Sequence, residues 1–150
     1  MKSLKDILGS KDILTVKTGT NIYDVTCFMA KHNIGLSPVV AEDGKLLGVF
    51  SERDLVRRVI AKGLDLKQTS VDEVMTKDLL VADINESHDQ CLKKMKDKGT
   101  RHILIVDKEK LAGILSIKDL LEVDLKDHKE TIEVLQNYNL GILCQVNHVP

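Results

Sequence analysis

Apolar positions along the chain fall into runs whose spacing alternates between helical and extended, and the same order of runs occurs twice. A short run from Ile13 to Val16 predicts a strand, and Ile22, Val25, Phe28 and Met29, about one helical turn apart, predict a helix with a core-facing stripe. Leu36 to Val40, the polar turn Glu42-Asp43-Gly44-Lys45 and a second apolar run ending at Ser51 read as a hairpin. A second helix then starts at the serine, with Leu55, Val56, Val59 and Ile60 as its apolar face. The order returns with Leu79 to Val81, then Cys91, Leu92 and Met95, then Ile103 to Val106, the turn Asp107-Lys108-Glu109-Lys110, and a run ending at Ser116.

The likeness extends to residue identity. Gly48, Ser51 and Asp54 recur as Gly113, Ser116 and Asp119 at an offset of 65, while Met29 answers Met95 and Pro38-Val39-Val40 answers Leu104-Ile105-Val106 at an offset of 66. The lead-ins Asp6-Ile7-Leu8 and Glu73-Val74-Met75 also correspond. The expected fold class is therefore α+β, with two βαββα repeats packed sheet to sheet about a pseudo-two-fold, since neither half buries its sheet alone. The expected boundaries are repeat 1 over 1–62, a linker over 63–70, repeat 2 over 71–125, and a C-terminal helix and tail over 126–150. Lys62 to Thr69 reads as a loop, leading to the capping box Ser70-Val71-Asp72-Glu73.

Composition narrows what such a pair can do. With 43% hydrophobic and 30% charged residues the chain is an ordinary globular one, so a packed core is expected. A net charge of −1 supplies no long-range field for nucleic acid or an anionic membrane, and two Phe, two Tyr and no Trp leave few stacking platforms for single strands. The N-terminus lacks an apolar leader core and no apolar run reaches membrane-spanning length, so a cytoplasmic location is expected. Cys27, Cys91 and Cys144 are odd in number and widely spaced, which fits reduced, buried thiols. His32, His88, His102, His128 and His148 show no metal-ligand spacing, and all but His102 read as surface residues. No nucleophile elbow, Walker loop or Ser, Cys and His constellation suggests an enzyme.

What remains is the doubled Ser-x-x-Asp at a strand-to-helix turn, Ser51-Glu52-Arg53-Asp54 and Ser116-Ile117-Lys118-Asp119. A helix start offers unpaired N–H groups to a phosphate, the serine hydroxyl adds a donor, and a carboxylate one turn in can accept both hydroxyls of a ribose. Arg53 and Lys118, just before each aspartate, are placed to neutralise a phosphate. The same residues are also close to a capping box, and capping alone would account for one copy.

The apolar run with Pro38-Val39-Val40, then Asp43-Gly44, Leu47-Gly48-Val49 and Ser-x-x-Asp, resembles the CBS domain, which normally occurs in pairs, over nearly residues 4 to 125. Ser51 to Arg57, and Arg101-His102 before an apolar strand, resemble small bacterial proteins made of a CBS pair alone. The resemblance implies a non-catalytic regulatory or energy-sensing module that binds AMP, ATP, NAD or another adenylate, needs no cofactor, forms a homodimer and acts on an unidentified regulated protein. It implies one cleft with Val49, Ser51 and Asp54 facing Leu79, Thr100, Arg101 and His102, and a mirror cleft with Ile114, Ser116 and Asp119 facing Leu14, Ile34, Gly35 and Leu36. The helix stripes at Leu55, Val56, Val59 and Ile60 and at Leu120, Leu121 and Val123 supply the apolar surface for dimerisation.

The second repeat departs from the pattern, with Leu104 in place of the proline and no glycine in its turn. The two clefts are also chemically unequal, so they need not bind the same ligand. A docking module with empty clefts is the alternative. The tail from Lys126, with Ile132, Leu135 and Tyr138 on one face and the apolar run Leu140 to Val146, is expected to dock on the core or on a second subunit.

Overall fold

The structure is a computed structural model and describes residues 2–10 and 12–127. In the first half β1 (Val16–Lys17) lies parallel to β2 (Leu36–Val40) across the helix α2 (Ile22–His32), and β2 returns antiparallel as β3 (Leu46–Ser51). The second half repeats this with β4 (Val81–Asp83), α5 (His88–Lys98), β5 (His102–Asp107) and β6 (Lys110–Ser116). Each half ends in a helix that starts at its serine: α3 (Glu52–Asp54), which continues into further helical winding, and α6 (Ile117–Asp127). The result is the expected α+β arrangement of two βαββα units, each with a three-stranded sheet.

The first strands begin later than the apolar runs predict, at Val16 rather than Ile13 and at Val81 rather than Leu79. In repeat 1 the cause is Pro38, which has no N–H to give the parallel neighbour. Where Leu104 donates its N–H to the Leu80 carbonyl at 3.0 Å in repeat 2, the equivalent Leu14 carbonyl takes the Ser37 hydroxyl at 3.2 Å instead. The ladder accordingly reaches Val81 opposite Leu104 but not Thr15 opposite Pro38. The second hairpin closes without glycine because Lys108 and Glu109 both take left-handed backbone, at φ 49° and 68°. In the first, Gly44 takes the corresponding positive φ of 89°.

The two hairpin tips meet at the pseudo-two-fold. Leu46 N–H donates to the Glu109 carbonyl at 3.3 Å and Leu111 N–H to the Gly44 carbonyl at 3.2 Å, a reciprocal pair related by the repeat offset. Lys45 stands opposite Lys110 at the centre.

The lead-in helices do not stay with their own repeats. α4 (Val71–Val74) places Val71, Val74 and Met75 in the first core with Ile22, Val25, Val39, Phe50 and Val59. α1 (Leu4–Leu8) places Leu4 in the second core with Cys91, Met95, Ile103, Ile105 and Leu120. A methylene-rich side chain buried this fully stabilises by about 1.5–3 kcal/mol. The crossings need glycine, since a Cβ on Gly48 would meet the Thr76 carbonyl at 2.9 Å and one on Gly113 would collide with Leu8.

After Asp54 the winding loosens to a π-helix over Leu55–Ile60, with Ala61 N–H reaching the Val56 carbonyl at 2.9 Å. The apolar stripe expected there is only partly buried. Val59 is buried and Leu55 half-buried, but Val56 and Ile60 are 60% and 56% exposed. On α6, by contrast, Leu120 and Leu121 are buried and Val123 half-buried, so that stripe is used inside the chain. Cys27 also differs from its expectation: it lies on the face of α2 away from Ile22, Val25 and Met29 and is exposed. His88 is buried in the first turn of α5 rather than on the surface, where its Nε2 lies 3.3 Å from the Asp89 carboxylate. The tail helix and the apolar run Leu140 to Val146, with Cys144, His128 and His148, lie outside the described residues. Among the described residues no helix is long and apolar enough to cross a membrane.

Candidate functional site

Both Ser-x-x-Asp turns fold as capping boxes. Ser51, with φ −123°, ends β3 in extended backbone, so its Oγ accepts from Asp54 N–H at 3.2 Å while Asp54 Oδ2 accepts from Ser51 N–H at 3.1 Å. Ser116 and Asp119 form the same reciprocal bonds at 3.1 and 2.8 Å. The residue just before a neighbouring strand takes one more N–H at each helix start: Glu52 N–H donates to the Gly35 carbonyl at 3.0 Å and Ile117 N–H to the Arg101 carbonyl at 2.8 Å. Three of the N–H groups that could seat a phosphate are thus already committed in each half. Arg53 and Lys118 are exposed and line neither cleft.

The two carboxylates then diverge. Asp54 is 7% exposed. Besides the serine bonds, the Ser51 hydroxyl donates to Oδ2 at 3.1 Å, the Thr76 hydroxyl reaches Oδ1 at 3.1 Å, and Arg58 Nε stands 3.5 Å from Oδ1. Arg58 is itself anchored, donating to the Met75 carbonyl at 3.1 Å. A carboxylate offers about four acceptor positions, and those of Asp54 are essentially filled by its own chain. Asp119 is half-buried, and among the described residues it accepts only from Ser116 N–H.

Two cavities flank the sheets between the halves. The first, of about 200 Å³, is lined by Val49, Leu79, Thr100, Arg101 and His102, together with Thr76, but neither Ser51 nor Asp54 reaches its wall. The second, of about 220 Å³, is lined by Leu14, Ile34, Leu36, Ile114 and Asp119. Gly35 instead borders a separate pocket with Glu52, and Ser116 lies behind Asp119 as its cap. Arg101 and His102 are exposed at the entry of β5. Leu36 and Ile114 belong to both cavities and form the wall between them.

Thr76 and Ile7, Leu8, Gly9 and Asp12 also border the clefts, although the sequence motifs do not point to them. The signal was the lead-in correspondence itself: a chain that crosses onto the opposite sheet brings its next residues to the cleft mouth. Among the described residues no group of three His, Cys, Asp or Glu is placed to hold a metal ion. Burial first, then the Glu86 charge, push the Cys91 thiol up, which keeps it a protonated core residue.

The pattern described as CBS domain matches residues 4–61 and 71–126. The CBS domain-containing protein YhcV of Bacillus subtilis is 36% identical over 120 residues, covering 80% of this chain and 84% of that one. Among solved structures, Hypoxic Response Protein I with two coordinated zinc ions is similar at a TM-score of 0.71 and 25% identity, over 81% of this chain and 98% of that one. The CBS domain protein PAE2072 of Pyrobaculum aerophilum, complexed with AMP, is similar at 0.67 and 26% identity, over 79% and 89%. The family pattern falls on each half at the positions where sequence and fold both repeat, and the chain belongs to the CBS domain family as a tandem pair.

Proposed function

We propose that this chain is a non-catalytic, adenine-nucleotide-binding regulatory module, and that the nucleotide sits in the second cleft with its ribose on Asp119. The observation that carries the reading is a half-buried carboxylate, with an oxygen that no described residue bonds, on the wall of a cavity also lined by Asp12 and by the apolar Leu14, Ile34, Leu36 and Ile114. An apolar slot takes the flat base, and a carboxylate beside it selects a diol. The relative complexed with AMP supports the choice of an adenylate, with AMP, ATP and NAD as the ligands to compare. The module is a cytoplasmic homodimer in this reading, supported by the exposed pair Val56 and Ile60, which a second copy would cover, and by the free thiols Cys27 and Cys91.

Calorimetric titration of AMP, ATP and NAD into wild type and Asp119→Asn tests the site. Losing charge-assisted bonds worth about 1.5–3 kcal/mol should weaken binding roughly ten- to a hundredfold. No heat from any of the three at millimolar ligand would overturn the reading in favour of a docking module with empty clefts. A bound adenylate should also raise the melting temperature, because it binds only the folded state. Light scattering that returns a monomer mass at high micromolar concentration would remove the dimer.

A further inference from the structure

The lead-ins fall into register on the two sheets: Leu8 stands over Gly113 where Met75 stands over Gly48. The residues that follow, Gly9 and Thr76, are therefore equivalent positions at the mouths of the two clefts, and they differ in everything a ligand would meet. Thr76 pairs its backbone with Val49 in both directions, at 2.8 and 3.0 Å, and its hydroxyl bonds both oxygens of Asp54, at 3.1 and 3.3 Å. It lines the first cavity, and Asp54 does not. Gly9 has no side chain, and among the described residues no backbone pair joins it to Ile114, the counterpart of Val49. A Cβ placed on Gly9 would meet nothing within 4 Å, and Gly9 and Asp119 line the same cavity.

We infer that Thr76 is the specificity-determining residue of the pair: by clasping Asp54 it denies the first cleft a ribose acceptor, so that each chain takes one adenylate, in the second cleft. The inference rests on the proposed nucleotide site. It concerns a division of labour between two Ser-x-x-Asp motifs that are otherwise alike. Asp54 is a positioning residue that fastens the second lead-in to the first repeat, while Asp119 faces ligand.

The test is the stoichiometry of AMP binding by calorimetry, in wild type, Asp54→Asn, Thr76→Ser, Thr76→Ala and Thr76→Gly, with circular dichroism to confirm folding. Wild type, Asp54→Asn and Thr76→Ser should each take one AMP per chain. Thr76→Gly, or Thr76→Ala should the glycine variant not fold, should take two, and the added one should vanish when Asp54→Asn is combined with it. Two AMP per wild-type chain with one lost in Asp54→Asn would overturn the inference, as would one AMP in every folded Thr76 variant. If neither Thr76→Ala nor Thr76→Gly folds, Asp54→Asn alone decides, with no change from one supporting the clasp. Wild type taking no AMP overturns the reading of the second cleft instead. In that case one AMP in Thr76→Gly, lost with Asp54→Asn, supports the role of Thr76, and none overturns both.

Discussion

Replacing Asp54 by alanine removes a carboxylate that three residues of its own chain share, and the structure separates the cost from that of the matching change at Asp119. Loss of the carboxylate's half of the capping box, the bond from Ser51 N–H, costs about 1 kcal/mol. Stranding the Thr76 hydroxyl and Ser51 N–H near a buried position costs about 1.5–3 kcal/mol. The two overlap at Ser51, so the sum is about 3 kcal/mol. Asp119→Ala removes a single bond at a half-buried site, about 1 kcal/mol. For a chain of 150 residues the larger loss corresponds to a drop in Tm of roughly 6–12 °C. Urea unfolding followed by circular dichroism reads both variants, and an unchanged m-value confines the difference to stability. A cycle with Thr76→Val should give a coupling near 1 kcal/mol, because the two residues share one contact. Equal losses at Asp54 and Asp119, within about 0.5 kcal/mol, would refute the claim that the first carboxylate carries the larger structural share.

Two further outcomes are expected. The second hairpin holds Lys108 and Glu109 at positive φ without glycine or asparagine, so Lys108→Asn with Glu109→Gly should stabilise by about 1 kcal/mol, and an unchanged or lower midpoint in urea would contradict the strain argument. Burial pulls the Asp72 carboxyl upward, but bonds from the Thr18 hydroxyl, the Gly19 N–H and the Ser70 hydroxyl together hold it below the usual range. A depressed folded value means its stabilisation is present above the unfolded pKa near 4 and is lost as pH falls through the folded one. The stability gap between wild type and Asp72→Asn should therefore be constant from pH 7 to 5 and close below about pH 4, and a gap independent of pH down to 3 would contradict this.

The βαββα order was legible because strands and helices impose different periods on the apolar positions, and here each run is bounded by a turn or a cap. Two kinds of feature were not. Val56 and Ile60 lie outside although their spacing is that of a buried stripe, because spacing puts residues on one face without saying that the fold has a partner for all of it. The unequal fates of Asp54 and Asp119 are equally hidden in the motif, since Ser51 to Asp54 and Ser116 to Asp119 cap their helices alike. What separates them is a threonine 22 residues from one aspartate and a glycine near the opposite end of the chain from the other. Setting the lead-ins side by side would have put Thr76 against Gly9, but nothing local says that each lead-in crosses to the other sheet.

The exchange of lead-in helices bears on how the chain is made. The first repeat can close once residues 71–76 have left the ribosome, because α4 completes its core. Leu4 has no such early partner, since its burial site includes Leu115 and Leu120. At synthesis rates of roughly 5–20 residues per second, more than 110 residues of further translation keep α1 waiting for roughly 6–22 s. During that interval Leu4, Ile7 and Leu8 form an unsheltered apolar face on the nascent chain, available to a chaperone or to a neighbouring polysome product. The helix α6 is thus the one that lets α1 dock.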